Sequence, residues 1–291
     1  MNNYHVSVLL KEVIEYLKVK ENEKYIDATL GGGGHSLEIL RKGGGVLGID
    51  VDQEALSYVG GWRLEDRRRI TLARENFRNI DSIAKGNGFE QVAGILFDFG
   101  VSSHQIDDPK RGFTFQQSAN LDMRMDQDLG VTAKDLVNAL SKKDLIEVFS
   151  KYGEERFAHG IATEIVNVRK EGLITTSEDL LSIINRVMPA KLDRIAAAAR
   201  IFQSLRIVVN DELHAIEETL PKALSLLKPK GRLVAISFHS LEDRIVKNTF
   251  KEFEAKNFGK ILTAHPIGAT DEEMKDNVRS RSAKLRAFEK L

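Results

Sequence analysis

The chain is 291 residues long, 42% hydrophobic and 30% charged, with 43 basic residues balancing 43 acidic ones. These proportions belong to a globular protein, large enough for one big domain or two ordinary ones, and exclude a fibrous or disordered chain. Zero net charge leaves any polyanion to be met by a local basic patch, and zero cysteines exclude disulfides, thiolate zinc sites, cysteine-held iron–sulfur clusters and thiolate nucleophiles.

The stretch from Met1 to Lys11 has no apolar core of signal length, and no run approaches the roughly 20 apolar residues that span a bilayer, so a cytoplasmic protein with no membrane partner is expected. Val8, Leu9, Val13, Ile14 and Leu17 stand at helical spacing. Strand signals then alternate with helical patterns in the rhythm of βαβ units: Tyr25 to Ala28, Val46 to Asp50, Ile70 to Ala73 and Val92 to Asp98. From about Asp107 the pattern becomes helical and stays so for nearly 70 residues. Helix starts there are marked by Thr132 with Asp135, Ser141 with Asp144 and Thr176 with Asp179, a hydroxyl before an acid near the third helical position. An apolar stripe of Phe157, Ile161, Ile165 and Val168 follows one of them. After a helix ending near Leu227 and a turn from Lys228 to Gly231, strand character returns at Arg232 to Phe238. Ile261 to Ile267 and Ala283 to Glu289 can supply the last two strands. The expected architecture is a mostly parallel α/β sheet interrupted by an all-helical insertion.

The first strand runs into Gly31-Gly32-Gly33-Gly34-His35, a turn that glycine permits close to a ligand. A dinucleotide fingerprint requires glycine at position 36, which is Ser36, and the lysine of a phosphate-binding loop is missing. What remains is Asp27 near the strand end, the glycine turn, and Asp50 at the next strand tip, about 20 residues on, where an acid can accept ribose hydroxyls. This suits a nucleoside without phosphates, such as S-adenosylmethionine, whose sulfonium a nearby carboxylate such as Asp27 could influence. A purely structural βα turn and a nicotinamide-dependent oxidoreductase remain open on these residues alone. Phe77, after the third strand, can stack on adenine or pack in the core. Asp98 ends the apolar run Gly94-Ile95-Leu96-Phe97, where a buried charge needs a partner.

The string from Gly94 to Gln105, Gly-Ile-Leu-Phe-Asp-Phe-Gly-Val-Ser-Ser-His-Gln, closely resembles the bacterial MraW/RsmH family. These are methyltransferases acting on N4 of a cytosine in small-subunit ribosomal RNA. The N-terminal His5-Val6-Ser7-Val8-Leu9-Leu10, the glycine turn through His35, Tyr152 to Ala158, Ser237 to Lys247 and Arg279 to Arg286 agree as well. The resemblance implies a class I (Rossmann-like) fold with a seven-stranded, mostly parallel sheet. A discontinuous S-adenosylmethionine-binding domain (1–108 and 197–291) would enclose a helical insertion (109–196) that recognises substrate. It also implies 16S ribosomal RNA or the small ribosomal subunit as partner, and cofactor contacts at Gly33, Gly34, His35, Asp50, Phe77, Asp98 and Gln105. Ser118-Ala119-Asn120 and Ala199 depart from the family pattern, which leaves loop geometry open.

The exocyclic amine of cytosine is a poor nucleophile, because its lone pair is delocalised into the ring, and its methylation calls for an aligned acceptor. Asp98 is the candidate, with His239 as a second catalytic candidate beside Ser240 and Asp243, whose spacing equally suits a helix cap. Methylation at cytosine C5 uses a cysteine, and this chain has none. Candidate RNA-binding residues are Arg279, Arg281, Lys284 and Arg286 near the C-terminus and Arg111 and Arg124 before the insertion. Arg67-Arg68-Arg69 reads as a solvated connection. No metal-ligand cluster is evident in the sequence, and a non-enzymatic RNA-binding assembly factor on the same fold is the competing reading.

Overall fold

A computed structural model describes residues 7–63, 68–189 and 192–291. His5 and Val6 of the N-terminal string and Arg67 of the arginine run lie outside the described residues. The chain forms two compact units, one of residues up to Ser102 together with Leu213–Leu291, the other Ser103–Glu212.

The first unit begins with α1 (Leu10–Leu17), which buries Val13 and Leu17. There follow β1 (Lys24–Asp27), α2 (Gly34–Arg41), β2 (Gly45–Asp50), α3 (Gln53–Gly60), β3 (Ile70–Arg74), α4 (Ile80–Gly86) and β4 (Val92–Asp98). Each of the four strands lies within a residue of its expected position. Arg69, in the connection before β3, donates to the Gly43 carbonyl at 2.7 Å, a structural use of that arginine.

The second unit holds α5 (Ser103–Asp107), α6 (Ala133–Ala139), α7 (Lys142–Lys151), α8 (Ala158–Val168), α9 (Ser177–Val187) and α10 (Arg194–Asn210). Among its described residues there is no strand, only an isolated bridge from Asn120 to Thr176. That bridge lies in the stretch that departs from the family pattern, where the Ala119 N–H donates to Ser177 Oγ at 3.0 Å. Thr132 with Asp135 and Thr176 with Asp179 form reciprocal capping boxes, and Ser141 caps α7. The unit boundaries differ from the expected 108/109 and 196/197. α10 is continuous from its Asp193 cap, buries Ala197, Ala198, Ile201 and Leu205, and packs on α6, α7 and α9, so a cut at 196 would sever one helix.

The first unit resumes with α11 (Glu212–Leu226), β5 (Leu227–Ser237), α12 (Ser240–Ala255), β6 (Gly259–Ile261), α13 (Asp271–Asp276) and β7 (Lys284–Lys290). Two expectations are corrected. The Lys228–Gly231 turn lies inside β5: pairing with β4 jumps from Val92↔Leu227 to Gly94↔Arg232, and Lys230 takes a left-handed φ of 64° to loop the extra residues out. The strand expected at Ile261 to Ile267 stops at Ile261, because Thr263 Oγ1 instead of a backbone carbonyl accepts from the Ala287 N–H (3.1 Å), and pairing returns only as a bridge at Ile267↔Leu285.

The seven strands run in the order β3-β2-β1-β4-β5-β7-β6, parallel except that β7 is antiparallel to both neighbours. Both faces are covered, as a parallel sheet requires. Ile26, Leu47, Ile95, Phe97 and Leu233 face Ile80, Leu220, Val246 and Phe250 on one side. Tyr25, Val46, Leu96, Val234 and Leu285 face Val13, Leu17 and Ile39 on the other. Strand order reverses between β1 and β4, and the crevice outside such a switch point is where open α/β sheets bind ligands. No described helix is long and apolar enough to cross a membrane.

Candidate active site at the strand ends

Three adjacent strands each end in an aspartate: Asp50 on β2, Asp27 on β1 and Asp98 on β4. The register sets Asp27 opposite Gly48 and Leu96, so both outer acids stand two residues beyond the central one. They form a row along the crevice, with Asp27 set back at its centre and 1% exposed.

Each acid is held differently. Asp50 Oδ2 accepts from the Gly31 N–H (2.7 Å) and Oδ1 from the Asp52 N–H (2.8 Å), which ties the glycine turn to the tip of β2 and leaves each oxygen a lone pair for a ligand hydroxyl. Asp27 Oδ2 accepts from the Ser36 hydroxyl at 2.7 Å and Oδ1 from the Thr29 N–H at 3.4 Å. Ser36, which the sequence presented as a missing glycine, is the donor that steadies the central acid. Asp98 is placed through its backbone, whose N–H donates to Thr29 Oγ1 at 2.6 Å, while its buried Oδ1 has no hydrogen-bond partner among the described residues.

Burial pushes Asp27 and Asp50 up to about 6 against their hydrogen bonds. It pushes Asp98 well above the carboxylate range, assisted by the charges of Asp27 and Glu242. His35 is no counter-ion. Its buried ring is lowered to about 4 by desolvation, and its Nε2 lies 2.9 Å from the Val8 carbonyl. A carbonyl only accepts, so Nε2 carries the proton and the bare Nδ1 lies 3.9 Å from Asp98 Oδ2, a neutral neighbour. No lysine or arginine among the described residues pairs with the three acids. The row is an unbalanced negative field.

The glycines are required in different ways. At Gly31 (φ 50°) a Cβ would meet nothing within 4 Å, so the backbone there is open to a ligand. At Gly33 (φ 73°) a Cβ would lie 2.5 Å from the Trp62 ring, and at Gly34 2.1 Å from Ser7 Oγ. Those two positions are demanded by the protein's own packing, and Trp62 carries no signal in the sequence that would have linked it to the turn. Phe77 is half-buried, its centroid 6.0 Å from those of Phe97 and Phe99. Gln105 lies in the second unit on α5 and is buried.

The remaining candidates separate. His239, not Ser240, caps α12, in a capping box with Glu242. Glu242, 0% exposed, accepts from the Phe238 N–H at 2.7 Å, and Asp243, the expected partner of Ser240, instead binds Arg286 through both oxygens at 2.6 and 3.1 Å. Arg286 is therefore 7% exposed within the sheet, which removes it from an RNA-facing surface. Arg111 is corrected likewise: it is 3% exposed and donates to the carbonyls of Arg124 and Met125. Arg124 is bound to Asp122. Arg281 is exposed, and Arg279 and Lys284 are partly exposed.

The strand order with its antiparallel β7, the glycine turn after β1 and the ribose-ready acid ending β2 define a class I methyltransferase, the class whose methyl donor is S-adenosylmethionine. Open backbone at Gly31, free lone pairs on Asp50 and an uncompensated negative field fit a nucleoside bearing a sulfonium. More particularly, the chain belongs to the MraW methylase family, whose family model matches residues 2–291. A relative from Sulfurihydrogenibium, named ribosomal RNA small subunit methyltransferase H, is 46% identical over 99% of this chain and 99% of its own length. One of the same name from Carboxydothermus hydrogenoformans is 45% identical over 99% of this chain and 98% of its own.

Proposed function

We propose that the protein transfers the methyl group of S-adenosylmethionine to the exocyclic N4 amine of a cytosine in the decoding region of 16S ribosomal RNA. The substrate class is supported by the name its relatives carry, ribosomal RNA small subunit methyltransferase H. The choice of an amine rests on one observation: Asp98 ends β4 with a buried carboxyl oxygen that has no hydrogen-bond partner among the described residues and no cation beside it. A raised proton affinity at that oxygen suits a group that accepts a hydrogen bond from the amine, and then its proton, as the lone pair localises on nitrogen. The absence of cysteine argues against the covalent C5 route.

In this reading Asp50 holds the ribose hydroxyls, the glycine turn admits the nucleoside, Phe77 meets the adenine edge, and Gly33, Gly34 and His35 complete the cofactor contacts of this unit. The cofactor supplies an activated methyl group. Thr29 positions Asp98 through the hydrogen bond to its backbone, and neutral His35 offers it no cation. The second unit recognises the RNA, and the target cytosine is presented unpaired, because pairing occupies the amine. The test is incubation with radiolabelled cofactor and either 30S particles or naked 16S RNA, followed by nucleoside mapping. Label in N4-methylcytidine is expected, and label at C5 or on another base overturns the assignment.

A further inference from the structure

On the edge of the sheet away from the acid row, α12 and the segment after β6 enclose a groove of about 470 Å³ with Phe250 and Leu262 in its lining. Lys247 and Lys251 enter it from the helix, one turn apart, and His265 and Pro266 face them from the segment. Like charges at this spacing repel. Among the described residues neither ammonium has an ion pair or hydrogen bond, although acids are close at hand. On the same helix Glu252 is taken by Lys256, and Glu254, the groove's own acid, has its Oε1 on the Ile261 N–H. The guanidinium of Arg286 at the groove is neutralised by Asp243. Two cations without an ion pair among the described residues, against the single carboxylate of Glu254, therefore face an exposed imidazole across a cavity of small-ligand size.

We propose that this groove takes a nucleotide of the RNA strand flanking the target base, its phosphate between Lys247 and Lys251 and its base stacked on His265. The proposal rests on RNA being the substrate. Lysine pairs supply the phosphate attraction, and imidazole rings are among the platforms on which unpaired bases stack. The place suits a flank and not the target. α12 is capped by His239, on the same pole of the sheet as Asp98, and Lys247 lies eight residues beyond that cap, about 12 Å at the helical rise.

The experiment measures binding of a fluorescent single-stranded fragment of 16S RNA to the full-length enzyme across a salt series. Lys247→Ala combined with Lys251→Ala is expected to weaken binding by roughly tenfold or more at low salt and to flatten the log–log salt slope by about 0.7, the value for one lost phosphate contact on a single strand. His265→Ala is expected to weaken binding several-fold at unchanged slope, since stacking releases no counterions. In turnover, KM for RNA should rise more than kcat falls. A control pair, Lys11→Ala with Lys42→Ala, removes the same charge from the α1–α2 side of the molecule. If the groove variant and the control give the same affinity and slope, the groove is not an RNA site. If the wild-type enzyme shows no salt-dependent RNA binding, the substrate reading itself fails and the groove with it.

Discussion

The acid row of the sheet unit and the carboxylates of the helical unit are treated in opposite ways. In the helical unit each buried or capping acid is answered. Burial would raise Asp122, but the Arg124 guanidinium beside it holds it below the usual range. The Thr132 hydroxyl lowers Asp135, and at Asp179 the Thr175 and Thr176 N–H groups outweigh burial. Glu155, with a fully buried side chain, is matched by Arg200 at 2.6 Å. In the sheet unit Asp27, Asp50 and Asp98 stand in a row with no cation among the described residues, and burial raises all three. Charge that serves architecture is neutralised inside the fold, whereas charge left unresolved at strand ends is available to a ligand.

The largest effect should come from changing the acid of that row proposed to meet the substrate amine. Asp98→Asn is expected to lower turnover by about a thousandfold, within the range for a lost proton acceptor. Calorimetry should still show cofactor binding, and stability should hold, because Oδ1 has no partner to lose. Full turnover with normal cofactor binding would remove Asp98 from the chemistry. The mirror experiment in the helical unit is Arg200→Ala, which leaves Glu155 with only the Phe157 N–H. It should cost about 3 kcal/mol in urea unfolding, as stranded buried charges do. A cost below 1 kcal/mol would mean that this pair does not need its cation, and the contrast between the units would weaken.

A smaller effect is expected from pH, and its sign differs between the acid row and the helical unit. A carboxyl raised from 3.8 to about 6, as at Asp27, binds a proton in the folded state that the unfolded chain has already lost. Stability should therefore fall as pH rises from about 4 to 6, by up to about 3 kcal/mol for this group. Asp122, lowered in the fold, contributes stability that is lost only as pH falls below its ordinary range. Urea unfolding of wild type and Asp27→Asn across that window checks the point: the variant should show the flatter profile, and identical profiles would contradict it. Over the same range the affinity for S-adenosylmethionine should rise with pH more than that for S-adenosylhomocysteine, whose sulfur is uncharged.

Much of this contrast was legible one residue at a time. Strand-end acids at Asp50 and Asp98, the turn at Gly31 to Gly34 and the boxes at Thr132 and Thr176 all follow from local periodicity and capping chemistry, which act over three or four neighbouring residues. The exceptions are side chains whose partners come from elsewhere in the chain. Arg286 looked like a surface cation in its basic C-terminal run, but antiparallel pairing places it opposite Ala235, where Asp243 of α12 reaches it. Ser240 with Asp243 obeyed the capping pattern, yet that bond to Arg286 left the cap to His239 and Glu242.

The sequence by itself determined the fold class, the nucleoside-type turn and, through family resemblance, the methyltransferase family. These rest on patterns within single elements or on long ungapped strings. Tertiary structure alone decided that the three aspartates form one row, that Ser36 and Thr29 support it, that Gly33 and Gly34 are required by Trp62 and Ser7, and which arginines remain at the surface. Neighbouring strands lie about 4.8 Å apart, so carboxylates separated by 23 and 71 positions in the chain become electrostatic neighbours only once the register is set.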